Sequence, residues 1–256
     1  MLNRRLTQLT SLILLHSSWG PQAKWFCNPV LSCHSCSLSW FACPVGVFVH
    51  YSGYHLFPWL ALGTVLLTGV LAGRLFCGWV CPFGFLQDML HRIPSPKIIL
   101  PRWTSNIKYI VLAATVGVIP FYLGEETMLS FCRMCPASAI QVTLPYIVTA
   151  GPGALNAPIT IKLGMLAGIL LLASVSSRSF CKTLCPIGAM LAPLNHISIL
   201  TVKPPEKPCI SCRKCDRVCP TGVEPSQRIS EGIPANRALD CIVCHECRDK
   251  CALTSR

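Results

Sequence analysis

The chain has 256 residues, of which 52% are hydrophobic and only 12% charged, with a mean hydropathy of +0.53. Soluble domains carry about 25% charged residues, so the composition argues against a purely soluble globule, a disordered chain and a collagen-like repeat. The formal net charge of +12 counts all 18 cysteines as neutral; metal-binding thiolates would offset it, and the aromatic-interleaved basic patches of nucleic-acid binders are absent.

In chain order, the first apolar segment is Leu6 to Trp19, which follows Arg4-Arg5 and reads as a retained signal anchor, since no small-residue cleavage site follows. Next comes Phe57 to Phe76, with Arg74 its only charge. A helix of that length spans roughly 30 Å, the thickness of the hydrocarbon core. Two further apolar stretches run from Ile107 to Gly124 and from Ile159 to Ser177. These predict about four spans. Arg4, Arg5, Arg74, Arg92, Lys97, Arg102, Lys108, Arg178 and Lys182 fall on one side of them, against Lys24, Arg133 and Lys162 on the other. Both termini are therefore expected in the cytoplasm. Met134 to Ile161, with Pro136, Pro145, Pro152 and Pro158, reads as a short interrupted re-entrant stretch. Gly69/Gly73 and Gly164/Gly168 are small-xxx-small pairs suited to close helix packing.

The membrane part, residues 1–202, contains an internal repeat. One unit runs from Cys43-Pro44 through a span to Phe76-Cys77-x3-Cys81-Pro82-x-Gly84. The other runs from Phe131-Cys132-x2-Cys135-Pro136 through a span to Phe180-Cys181-x3-Cys185-Pro186-x-Gly188. Proline is favoured at the first helical position, which puts the preceding cysteine at a helix N-cap, where N–H groups and the positive end of the dipole favour a thiolate. The apolar positions Leu86, Met89, Leu90 and Ile93 give the helix after Cys81 an interfacial face. Cys77, Cys81, Cys181 and Cys185 are expected to meet at the inner membrane face as one four-thiolate site, for iron–sulfur or zinc. The opposite face carries Cys27, Cys33, Cys36, Cys43, Cys132 and Cys135. There a metal cluster competes with disulfides, and the repeated Cys-Pro motif favours the cluster.

A Pro-rich linker, Lys203 to Pro208, leads to a tail, residues 203–256, of soluble composition. It reads Cys209-x2-Cys212-x2-Cys215-x3-Cys219-Pro220, then Cys241-x2-Cys244-x2-Cys247-x3-Cys251 with Ala252 in the place of the proline. This is the two-cluster ferredoxin spacing, in which the fourth cysteine of each run serves the other cluster. One [4Fe–4S] cluster is thus assigned to Cys209, Cys212, Cys215 and Cys251, and a second to Cys219, Cys241, Cys244 and Cys247.

Cys77-Gly-Trp-Val-Cys81-Pro82-Phe-Gly84, Cys181-Lys-Thr-Leu-Cys185-Pro186-Ile-Gly188 and the tandem runs together resemble the NapH/NosR-type membrane polyferredoxins over nearly the whole chain. The resemblance implies an all-α bundle of about four transmembrane helices in two pseudo-symmetric halves, with a small α+β two-cluster ferredoxin-like domain on the cytoplasmic side. It also implies a multi-pass protein of the inner (cytoplasmic) membrane, surrounded by lipid, that passes electrons between quinone or quinol and the redox subunits of a respiratory complex. No flavin-bearing domain of the NosR kind is expected, and the outer cysteines depart from the nitrate-system pattern. An accessory reductase of the CcoG kind and a zinc-stapled scaffold are the competing readings. Among His16, His34, His50, His55, His91, His196 and His245 no pair faces another within two clear spans, which argues against haem b. Quinone-site residues are not legible, and no nucleotide fold, hydrolytic triad or phosphate loop appears. The chain reads as an electron-transfer subunit with no catalytic residues of its own.

Overall fold

A computed structural model describes residues 4–21, 23–151, 153, 155–202, 205 and 209–251. All but Pro205 of the linker, together with Pro152 and Ala252, lie outside the described residues. About 60% of the chain is helical. Among the described residues β-pairing is confined to two isolated bridges, His16 with Ser39 and Cys27 with Ala42.

Residues 4–191 hold two copies of one five-helix plan, the second with a short extra helix. The first copy is α1 (Arg4–Leu15), α2 (Pro44–Gly53), α3 (Trp59–Ala72), α4 (Leu75–Trp79) and α5 (Pro82–Leu90). The second is α6 (Arg102–Leu123), a short α7 (Phe131–Met134), α8 (136–150), α9 (Ala157–Val175), α10 (Ser179–Thr183) and α11 (Pro186–Leu191). The copies interlock: α5 packs on α9 of the second copy, and α11 packs on α3 of the first.

Two of the expected spans, α6 and α9, are long and apolar enough to cross a membrane, and only 17% of each apolar window is buried. A core helix of a soluble protein would be mostly covered; these two leave their sides open. The Phe57–Phe76 stretch instead yields the shorter α3, because the chain breaks at Gly73, whose φ of +58 ends the helix ahead of Arg74. Its first residues, Phe57 and Pro58, stay outside the helix. The Leu6–Trp19 segment likewise stops as a helix at Leu15, where His16 bridges to Ser39.

The stretch after Met134 is less interrupted than its prolines imply. Residues 136–150 run as one helix, with a π-helical turn at Ala139–Thr143 just ahead of Pro145. A second π stretch, Leu112–Val118, stands just ahead of Pro120 in α6. Proline removes a backbone donor and crowds the carbonyl four residues back; a widened turn absorbs both effects without ending the helix. The small-residue pairs diverge. A Cβ at Gly69 would lie 2.1 Å from Leu194 Cδ1, so this glycine is a true close contact, whereas Gly164 and Gly168 face open space.

Short α12 (Lys214–Arg217), α13 (Pro225–Ser230) and α14 (Glu246–Asp249) make up the tail, with no strand among the described residues. Strands are broken where the cysteine runs wind. Ser211 and Arg213 in the first run, and Val243 and His245 in the second, all have φ between +51 and +62. Such values are costly for non-glycine residues, most of all for a β-branched valine, and persist only where the surroundings enforce them. The two runs therefore share one backbone winding.

Candidate metal centres

The local reason for the inner site is the Cys-Pro step. Cys43, Cys81, Cys135 and Cys185 are all N-cap residues with extended backbone, ψ between 114 and 125, and each is followed by proline at the start of a helix. At Cys185 the thiol itself takes the capping role, accepting from Gly188 N at 3.4 Å. Four such caps, two per copy, point thiols at two places.

Cys77, Cys81, Cys181 and Cys185 are buried and line a single space of ≈ 300 Å³. Burial pushes the Cys81 thiol up to about 12, with the neighbouring Cys181 and Cys77 thiols adding to the shift, and pushes Cys185 well above its ordinary value. Cations replacing the protons would offset the cost of burying such thiolates.

Two arginines close this site, and reading the chain as flanking charges misses their role. Arg74 stands three residues before Cys77, and Arg178 three residues before Cys181. Each reaches into the other copy: Arg178 Nη1 donates to Cys77 O at 2.8 Å, and Arg74 Nη2 donates to Cys181 O at 3.1 Å. Both side chains are fully buried. They pass over the glycine of each Cys-Pro-x-Gly motif. A Cβ at Gly84 would sit 2.0 Å from Arg178 Nη1, and one at Gly188 would sit 2.8 Å from Arg74 Nη2.

Each guanidinium has a carboxylate. Arg178 grips Asp88 through two bonds, Nε to Oδ1 at 2.7 Å and Nη2 to Oδ2 at 2.6 Å, and Arg4 of α1 joins at 2.5 Å. Burial alone would raise the Asp88 carboxyl; Arg178 and Arg4 more than offset it and hold it below the usual carboxylate range. In the second copy the position matching Asp88 is Ala192. The tail supplies the missing group: Asp240 pairs with Lys108 of α6 and lies 3.6 Å from Arg74.

On α5, Gln87 is wholly buried; it donates to Cys181 Sγ at 3.1 Å and accepts from Phe180 N at 3.2 Å. The inward face of α5 is thus Phe83, Gly84 and Gln87. Met89 and Ile93, read as part of an apolar face, are about half exposed and point away from the site.

The tail docks on the same loop. A Cβ at Gly78 would lie 2.3 Å from Ile242 O, and Trp79 Nε1 donates to Val243 O at 2.9 Å. Asn195 accepts from Arg74 N at 2.9 Å and donates to Ala238 O and Cys241 O at 3.0 and 2.8 Å. Within the tail, Cys209, Cys212, Cys215 and Cys251 line one space of ≈ 350 Å³, which is the ligand set the spacing predicts. Burial raises the Cys241 thiol, and the Cys244, Cys219 and Cys247 thiols near it add to the shift. Cys247 is pushed to about 12, by burial first and then by Cys244 and Cys219.

The six cysteines expected on the opposite membrane face divide, and the site most of them form is not a bilayer away from the inner one: the same stretch of chain lines both, with Pro29 and Leu31 at the inner space and Ser32 and Cys33 at the cleft. Cys33, Cys43, Cys132 and Cys135 line one cleft. Cys27 instead packs with Ala42 and Ala61, and Cys36 is buried away from the cleft.

Four buried thiols around one space, as at Cys77, Cys81, Cys181 and Cys185, are the donor set of a cubane, which offers each cysteine a separate iron corner. Arg74 Nε is buried without a hydrogen-bond partner among the described residues, as suits a donor awaiting an anionic acceptor.

A family described as a 4Fe–4S binding domain matches residues 54–101 and 159–204, one segment in each copy of the repeat. The chain is 26% identical over 196 residues to an uncharacterised protein of Methanocaldococcus jannaschii, covering 73% of this chain and 64% of that one. To the putative electron transport protein YccM of Escherichia coli K12 it is 25% identical over 214 residues, 78% of this chain and 55% of YccM. With the ferredoxin-type protein NapH of the same organism it shares 29% identity over 210 residues, 77% of this chain and 67% of NapH. The chain therefore spans less than two thirds of the length of the first two. No solved structure matches it.

Proposed function

We propose that this chain, related as it is to the NapH/NosR-type ferredoxin-like membrane proteins, is an iron–sulfur electron carrier linking the quinone pool to a partner redox enzyme. In this reading Cys77, Cys81, Cys181 and Cys185 hold one [4Fe–4S] cluster at the inner membrane face. The tail holds two more, on Cys209, Cys212, Cys215 and Cys251 and on Cys219, Cys241, Cys244 and Cys247. Such clusters supply one-electron redox chemistry over a wide range of potentials.

The observation that carries the reading is the dock between Gly78-Trp79 and Ile242–Cys244. The loop that bears inner cysteines touches the loop that bears tail cysteines, so an electron has a short protein path between them. Buried Arg74 and Arg178 place positive charge beside a thiolate-rich site and help to hold its anionic load. Supporting the membrane setting are α6, α9 and the shorter α3, with the exposed Arg5, Arg92, Lys97 and Arg102 at one end to favour cytoplasmic termini. Arg74, Lys108 and Arg178, being buried in ion pairs, carry less of that orientation argument than their positions in the chain imply.

The test uses anaerobically purified full-length protein. A quinol analogue is expected to bleach its visible absorbance, or the matching quinone to restore that absorbance after dithionite reduction. Failure of both exchanges, with reoxidation by a metal ion or a disulfide, would give the role to metal-centre assembly.

A further inference from the structure

We propose that Cys33, Cys43, Cys132 and Cys135 hold a further cubane cluster next to the inner one, and that Cys27 and Cys36 take no part in it. This rests on the iron–sulfur reading above and adds a neighbouring site, joined to the inner space through Leu31 and Ser32.

The outer site repeats the construction of the inner one. Two of its thiols, Cys43 and Cys135, cap Cys-Pro helices, as Cys81 and Cys185 do inside. Its glutamine matches as well. Gln141 follows Cys135 by six residues, as Gln87 follows Cys81. Gln87 takes Phe180 N and gives to Cys181 Sγ; Gln141 takes Cys33 N at 2.6 Å. The π turn in α8 contains Gln141.

A serine matches too. Ser130-Phe131-Cys132 and Ser179-Phe180-Cys181 stand at equivalent places, and both hydroxyls are buried with no partner among the described residues. Positive charge is present at this site as at the inner one. Half-buried Lys162 lines the cleft with its ammonium held by Ser138 Oγ at 2.7 Å, and it lies close enough to Cys135, Cys33 and Cys132 to feel their charge.

Every cysteine is a free thiol in the structure. The two sites differ in access. The outer cleft measures ≈ 1040 Å³ including its mouth, against ≈ 300 Å³ inside, and Glu125, Arg133 and His34 stand at its walls. A cluster there would exchange electrons with a partner approaching from that side.

Iron and acid-labile sulfide are counted per chain on the full-length protein purified anaerobically. About sixteen irons are expected for the unaltered chain, about twelve for Cys132→Ser, and about sixteen for Cys27→Ser and Cys36→Ser. Twelve in the unaltered chain with no loss in Cys132→Ser would overturn this proposal alone. A chain without iron would overturn the reading beneath it. Should Cys132→Ser fail to fold, Lys162→Met decides the matter without removing a ligand. It is expected to keep sixteen irons and to move one component of a redox titration to lower potential, and a titration identical to that of the unaltered chain contradicts the outer cluster.

Discussion

Arg178 and Arg74 each serve the opposite copy of the repeat, and their energetics set the strongest expectation at the scale of single residues. Arg178→Met leaves Asp88, largely buried, with Arg4 alone, and removes the bond to Cys77 O. Breaking a buried ion pair from one side costs about 3–5 kcal/mol. The expected outcome is a chain that loses about four irons during purification while its tail stays loaded; iron analysis checks it. The cysteines were legible because ligand spacing is local in sequence. The arginines were not, because their partners lie far away, with Arg178 ninety residues from Asp88. A local signal did exist, an arginine three residues before both Cys77 and Cys181, and it passed as an ordinary membrane flank.

Among the helices, the Cys-Pro step was the most legible feature, since proline at the first helical position acts through local sterics. All four predicted caps are present. Helix length was less legible. Gly73 at positive φ cuts α3 short of the apolar run, while a π turn lets residues 136–150 continue past Pro145, and neither outcome is visible in hydropathy. The junction between the last membrane element and the tail depends on Asn195, whose amide makes three bonds to Arg74, Ala238 and Cys241. Net values near 1 kcal/mol per hydrogen bond, with a larger penalty for groups left buried and unpaired, put Asn195→Ala at about 2–4 kcal/mol. The variant is expected to release tail iron to a chelator faster than the unaltered protein, with the inner iron following later.

At the level of the whole molecule, the tail completes the membrane part. Arg4 with Asp88 and Arg178 in one copy is matched by Lys108 with Asp240 and Arg74 in the other, and the second carboxylate comes from the tail because α11 ends toward Ala192. Asp240→Asn should therefore undock the tail, leaving Lys108 and Arg74 buried without a counter-charge at a cost of about 3–5 kcal/mol. Limited proteolysis of the junction, expected to quicken in the variant, reads this directly. Composition and the tandem cysteine runs predict an apolar helical part followed by a cysteine-rich tail. How the two meet was beyond reach, because pairs such as Trp79 with Val243 join positions 164 residues apart.

The proposed clusters form a continuous set, with the inner site seated against the tail. Electron paramagnetic resonance of the intact, anaerobically prepared protein after dithionite reduction reads that arrangement. The expected spectrum is that of several reduced clusters broadened by one another within a single chain. A colourless protein that carries zinc and gives no paramagnetic signal would contradict it.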